Sequence, residues 1–592
     1  MSGATESLDA LAGVVDADMV VTDGRVVDVH KREVRDGGIA VKAGRIIRVG
    51  DVESLVGPGT EVLDARGRYL TPGLIESHAH SYHANFNLTE YGKLCLQRGT
   101  TAVAESFYGQ GQIRGKEAVR FFYEELRRTP ITLLFVVPVL AYLQNLELGL
   151  DATPGTISGD DLFEMLEWEG CVGLEEPPYI PVAERDPVIV ALIERALSQG
   201  KVVMGHAAGL TEGELDGYAA FGITGDHEQL TAEEAIWRVQ RGMMVATRET
   251  PIARNQRDVQ RALTELGADP AMFMFCSDVP DAVTYATVGH IDEYIRIAVE
   301  GGVDPLDAVA MGSYNTARYY RVDHMVGSLA PGRQADILMV GDLERFDVQT
   351  VIAKGTVVVA DGERKHRFER PVYPAFLQGT VGLKRPATVE DLAVRAPEGR
   401  TEVTVRAIGA ESLLSDERRF PMPVEADGTV AADVGRDILK VAMWDRYGRW
   451  EEPAVAFMQG FRLKRGAIAT SYNPFYNNVM ALGCGDADMA LAANTVNELG
   501  GGFVAVADGE VLGSVALPLV GLLSDGDADE VVPQLERLYA QVAEELGCAI
   551  EWPFHNFAFT AVVGELPILK MCDRGLFDVA KREHLSTIVE ED

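Results

Sequence analysis

Between about Thr71 and Tyr320 the chain alternates short apolar runs with amphipathic helical patterns. The apolar runs are TPGLIESHAH, TAVAES, TLLFVVPV, CVGLEE, KVVMGHA, GITGDH, MMVATRE and MFMFCSD. Helices such as KEAVRFFYEELRR and DPVIVALIERALSQG separate them. Strands that each return through a helix run parallel, and eight such units are the number that closes a (β/α)8 barrel. A barrel of this kind takes about 250 residues. The chain has 592, so further domains are required.

The flanks supply them. Residues 18–64 alternate apolar and polar positions between glycines, and residues 327–362 return to the same pattern, as short strands joined by tight turns do. The expected fold class is α/β: a TIM-like (β/α)8 barrel over 71–324, with a composite β-sandwich domain built from both flanks, 1–70 plus 325–365. A Pro-rich, basic stretch over 366–386 reads as a linker. Residues 387–592 mix strands such as TEVTVRAIG with helices such as ADEVVPQLERLYAQVAEELG and read as a C-terminal α+β domain.

Composition excludes several roles. Ninety acidic residues against 54 basic give a formal net charge of −36, a field that repels nucleic acid and anionic membranes. The longest apolar stretch, Ile131 to Leu143, is too short to span a bilayer and contains Pro138. The first twenty residues lack a basic segment followed by an apolar one, so no secretory signal is expected. The six cysteines form no CxxC pair, which suits a reducing cytoplasm.

Metal-ligand residue types fall at the ends of the predicted barrel strands. His78 and His80 lie two apart in ESHAHS, so both side chains share one face of the strand. Alternation aims one of Glu175 and Glu176 inward. His206 ends KVVMGH, His227 sits in GDHE, and Asp278 ends MFMFCSD. Strand C-termini surround the mouth of a barrel, where catalysis takes place. Imidazoles with a bridging carboxylate suit a pair of divalent first-row metals. Such a pair brings the pKa of a bridging water toward about 7 and yields a hydroxide nucleophile. Asp278 is placed to take its proton and pass it to the leaving group. A single HxH arises readily by chance; four histidines, a Glu and an Asp in order at successive strand ends do not.

PGLIESHAH after a β segment, then GH, DH and an Asp-bearing strand, resembles the amidohydrolase superfamily, and more closely its adenine deaminase family. CVGLEE resembles that family's strand ending in a metal-bridging Glu, which falls on Glu176. VMGHAAGLTEGELDGYAAFGITGDHEQLTAEEA, GSLAPGRQADILMVGDLERFDV, GFRLKRGAIA and LKMCDRGLFDV follow the family along nearly the whole chain, including its characteristic C-terminal domain. The resemblance implies His78, His80, Glu176, His206 and His227 as ligands of two divalent metal ions (manganese, iron or zinc), with Asp278 as metal-associated acid/base. It implies attack on an amidine-like ring carbon and loss of an amine. Glu228 and Glu249 are further candidates for proton transfer or ring contacts.

Three elements depart from the family pattern. A hydrophobic residue and Glu-Ser-Ser usually follow HxH; here the run is Ser81, Tyr82, His83, Ala84. An Asp-Pro-His-Glu element usually follows the next strand; here it is AESFYGQGQ, with Phe107 and Tyr108. A His-Asp-Ser-His-Asn element usually follows GAIA; here it is TSYNPFYNN, with Asn473, Phe475, Tyr476 and Asn477. Ionic groups give way to aromatics and amides while the ligands persist. Tyr82, His83, Phe107, Tyr108, Asn473 and Tyr476 are therefore expected to contact substrate, as a more aromatic face on which a flat ring stacks.

The expected function is hydrolysis of a C–N bond in a small nitrogen heterocycle, by default adenine to hypoxanthine and ammonia. A cyclic amide, lactam or modified purine on the same centre is the alternative, and a non-catalytic scaffold a third. The superfamily habit implies a homo-oligomer.

Overall fold

The computed structural model describes residues 2–144, 157–410, 415–561 and 569–589. Eight parallel strands lie in chain order: β1 (Leu74–Ala79), β2 (Thr100–Glu105), β3 (Thr132–Val137), β4 (Cys171–Leu174), β5 (Val202–Val203), β6 (Gly225–Asp226), β7 (Met244–Arg248) and β8 (Phe273–Cys276). β1 to β5 form one ladder and β6 to β8 another. Parallel bridges from Met204 to Gly225 and from Ala79 to Asp278 join the two and close the barrel. Its interior is filled by every second residue: Ala102 and Ala104, Leu134 and Val136, Val202 and Met204, Met274 and Cys276. That period-two filling explains the near-continuous apolar runs, since helices cover the other face.

The two flanks make one nine-stranded sheet. Strand Met19–Asp28 pairs with three others, and Ile337–Val340 pairs antiparallel with Tyr69–Pro72 to stitch the distant segments together. The sheet curls on itself: Ile46 N bonds to Arg333 O at 2.9 Å, around a core of Val21, Ile39, Leu70, Ile337 and Ile352.

The third region is built on an eight-stranded, largely antiparallel sheet with helices Asp486–Glu498 and Ala528–Glu544. It docks beside the end of β1. Asn85 Nδ2 donates to Leu522 O at 3.1 Å, Phe86 bridges to Ser524, and Lys93 pairs with Asp527 at 2.9 Å. The stretch expected to be a linker packs on both neighbours: Tyr373 OH donates to Glu125 Oε1 at 2.9 Å and Gly382 N to Arg446 O at 2.8 Å.

Candidate metal centre

The inward face of the barrel strands continues past their last ladder residues. Val202, Met204 and then His206 follow one face; so do Ala246 and Arg248, and Met274, Cys276 and Asp278. Glu176 and Asp278 adopt left-handed backbone, with φ of 35° and 55°. Such strain in non-glycine residues persists only where surroundings enforce it, and it clusters at functional sites.

These residues converge. Glu176 Oε1 lies 2.5 Å from His78 Nε2, 3.2 Å from His80 Nε2 and 3.1 Å from His227 Nε2. Its other oxygen lies 3.6 Å from His206 Nδ1. Asp278 Oδ1 stands 3.8 Å from His78 Nε2 and 3.6 Å from His80 Nε2. Two groups have ligand atoms that all fall within 4.8 Å of one another: His78, Glu176, His227 and Asp278, and His206, His227 and Glu228. His78 Nε2 and His227 Nε2 are buried without an aligned hydrogen-bond partner among the described residues. Buried lone pairs converging on carboxylate oxygens without donors between them fit a divalent cation, and mixed N/O donors suit a first-row metal.

Burial disfavours the Glu176 carboxylate, yet His80 and His78 outweigh it and hold its pKa well below the ordinary value. Its neighbour Glu175 behaves oppositely: burial first, then the Glu176 charge, push its carboxyl well up.

Supporting contacts fix these side chains. Glu76 accepts from His78 N and Ser277 N, both at 2.9 Å, and pairs with His290 Nε2 at 2.8 Å. It thereby ties the ends of β1 and β8. Asp226 accepts from Ala207 N at 2.8 Å and Arg238 Nε at 2.5 Å. Tyr218 OH accepts from His206 N at 2.9 Å. Gly205 allows that approach, since a Cβ there would meet Tyr218 Cε1 at 2.7 Å and Ile223 Cγ2 at 2.6 Å.

A cavity opens onto this cluster. His80, Glu176, His206, Glu228, Arg248 and Asp278 line its floor, His83 and Tyr108 a wall, and Pro474, Phe475 and Phe559 of the third region its roof. All three departing elements therefore meet at the cavity.

Not every expected contact reaches it. Glu249 is half-buried and outside the lining, because alternation along β7 turns its predecessor Arg248 inward. Phe107 packs against Phe135 in the core. Asn473 spends both ends of its amide on the Asn478 backbone, at 2.5 and 3.0 Å. Tyr476 is buried outside the lining, and left-handed backbone at Phe475 and Asn477 presents Phe475 to the cavity instead. Tyr82 stands behind the wall, donating to Tyr108 OH at 2.6 Å.

The sequence reading missed Arg248. It is buried, forks across Glu228 at 2.6 and 2.7 Å, and reaches Asp278 Oδ2 at 2.5 Å. Burial works against its charge, but Glu228 and Asp278 outweigh that and strengthen it. The signal was present: a basic residue at an inward strand end in ATRET.

A closed parallel barrel with imidazoles and carboxylates gathered at its strand ends suits metal-dependent hydrolysis, and residues 69–358 match the amidohydrolase family, metal-dependent hydrolases acting on C–N bonds. Residues 412–583 match the adenine deaminase C-terminal domain. The chain is 34% identical to an adenine deaminase of Moorella thermoacetica, over 97% of this chain and 96% of that one. It is 33% identical to adenine deaminase 4 of Rhizobium meliloti, over 98% and 96%, and 32% identical to an adenine deaminase of Clostridium botulinum, over 99% and 98%. The chain belongs to the adenine deaminase family.

Proposed function

We propose that the protein hydrolyses the exocyclic C–N bond of adenine, giving hypoxanthine and ammonia. The observation that carries the reading is the convergence of His78, His80, Glu176, His206, His227 and Asp278 in one cluster, of which His80, Glu176, His206 and Asp278 line the cavity floor, in a chain that aligns end to end with relatives named adenine deaminase. These residues would hold two divalent metal ions, with Glu176 shared because its two oxygens face different imidazoles. Bound there, the metals would supply a Lewis acid and bring the pKa of a water toward about 7.

The chain's own residues do the rest. Asp278 has one oxygen tied to Arg248 and the other facing His78 and His80. It accepts a proton from the attacking water and delivers it to the departing amine nitrogen. Glu228, clamped by both Arg248 nitrogens, holds that guanidinium in place. Phe475 and Phe559 close the roof against bulk water and offer apolar surface to a planar ring.

The six cysteines are free thiols, which supports a cytoplasmic enzyme; no helix among the described residues is long and apolar enough to cross a membrane. The superfamily habit supports a homo-oligomer. The test is product identification from adenine with manganese-loaded protein. Equal amounts of hypoxanthine and ammonia are expected. Opening of a cyclic amide with no ammonia from adenine would replace this reading with the alternative substrate class.

A further inference from the structure

Two polar groups on the cavity wall, His83 and Tyr108, each lean on a phenol that stands outside the cavity. Tyr472 OH bonds to His83 Nδ1. Tyr82 OH donates to the Tyr108 oxygen at 2.6 Å. Tyr472 enters from the third region, in the loop after strand Ala467–Thr470, whereas Tyr82 and His83 share the turn Ser81–Ala84 that follows β1. His555 Nε2, 3.0 Å from His83 O, braces that turn from the far side.

Both phenols are fully buried, and a buried hydroxyl proton needs an acceptor. The Tyr472 hydroxyl has no other hydrogen-bond partner among the described residues, so its proton lies toward His83 Nδ1. An imidazole whose Nδ1 accepts carries its own proton on Nε2. His83 Nε2 has no protein partner among the described residues, and the His83 ring lines the cavity. The same logic applies to Tyr108. Its oxygen already accepts from Tyr82, its own proton has no protein acceptor among the described residues, and its side chain also lines the cavity.

We propose that His83 Nε2–H and Tyr108 O–H form a pair of hydrogen-bond donors that select a heterocycle by the acceptor lone pairs of its ring nitrogens or carbonyl oxygens, and that Tyr472 and Tyr82 are positioning residues that set the direction of those donors. The proposal rests on the reading of the cavity as a heterocycle-hydrolase site. It gives the third region a part in specificity, because the imidazole tautomer at the wall is fixed by a residue of that region. It also explains the joint departure of three distant sequence elements: Tyr82 with Tyr108 and His83 with Tyr472 form two hydrogen-bonded pairs, joined through the adjacent residues Tyr82 and His83.

Two measurements test it on the full-length, zinc-loaded protein. In the first, histidine nitrogens are labelled with ¹⁵N and the His83 signals assigned by their loss in His83→Phe. A protonated Nε2 is expected in the wild type, and a changed tautomer population in Tyr472→Phe. An unprotonated Nε2 in the wild type overturns the proposal. In the second, kcat/KM is measured for adenine and for 1-, 3- and 7-deazaadenine in the wild type, His83→Phe, Tyr108→Phe and Tyr472→Phe. Removing the ring nitrogen that a donor meets should cost the wild type roughly tenfold or more, and cost the matching variant much less. Tyr472→Phe should lose discrimination and raise KM more than it lowers kcat. Equal deaza penalties in the wild type and every variant overturn the proposal. If the wild type releases no ammonia from adenine, the purine reading fails by itself, and the His83 tautomer still decides the direction of the donor.

Discussion

Arg248 is where electrostatics and chemistry meet most closely. One guanidinium pairs with two buried carboxylates, Glu228 and Asp278, through three short hydrogen bonds. Removing one partner of a buried ion pair leaves an uncompensated charge, at a cost of about 3–5 kcal/mol. Arg248→Ala is therefore expected to lower the stability of the metal-free protein by about that amount, read by urea denaturation; a change below about 1 kcal/mol would show that solvent already screens the pair. Asp278→Asn keeps an oxygen for Arg248 but cannot accept the water's proton. It should fold normally and lose roughly 10²–10⁴-fold in kcat, and unchanged turnover would move the proton acceptor elsewhere. The clustering of the strand-end residues was legible in the sequence because period-two alternation runs straight off each strand into His206 or Asp278. Phe107, Asn473 and Tyr476 were not, because they lie in turns where left-handed residues such as Phe107, Phe475 and Asn477 break any periodic rule. Arg248 and Glu249 illustrate the middle case: adjacent charged residues whose facing depends on register.

The strands carry the site, and a few contacts between elements hold them in register. The eight-strand alternation was readable as a barrel because each strand is covered by a helix and so remains apolar throughout. The joining of residues 69–72 to 337–340 was foreseeable only as a repeated β pattern, since strand order in a sheet is set by tertiary pairing. Asp336 sits at that joint, accepting from Lys354 N and Gln334 Nε2, both at 2.8 Å, and burial raises its pKa to about 6. A carboxyl that binds its proton more tightly when folded contributes stability at low pH, and that contribution is lost as pH rises through the folded pKa. The sign here is a cost that grows from about pH 4 to pH 6, on the order of 2–3 kcal/mol when complete. Asp336→Asn should therefore gain stability relative to the wild type as pH rises from about 4 to about 6, and keep a constant advantage above that. A pH-independent difference in Tm would contradict the burial argument.

The assembled molecule places a barrel mouth beneath a roof from the third region, so the chain's length serves the site and not only its support. The net charge of −36 serves something else. Charged groups at the cavity floor number only a few and are mutually paired, so most of the acidity lies on the surface. Like-charge repulsion weakens as salt screens it. The melting temperature should rise as potassium chloride increases from about 0.05 to 0.5 M, over which the Debye length falls to about half its value at 0.1 M or less; a falling Tm would show that paired surface charges outweigh the excess. The claim on which the rest depends is that the strand-end residues form a metal centre that drives C–N hydrolysis. It is tested most directly by stripping the protein of metal, titrating it with manganese, and following bound metal and ammonia release from adenine in the same samples. Release should be absent at the start, climb in step with bound manganese and level off near two equivalents, as expected of a two-metal site. Turnover that is indifferent to bound manganese, or a protein that binds none, would contradict it.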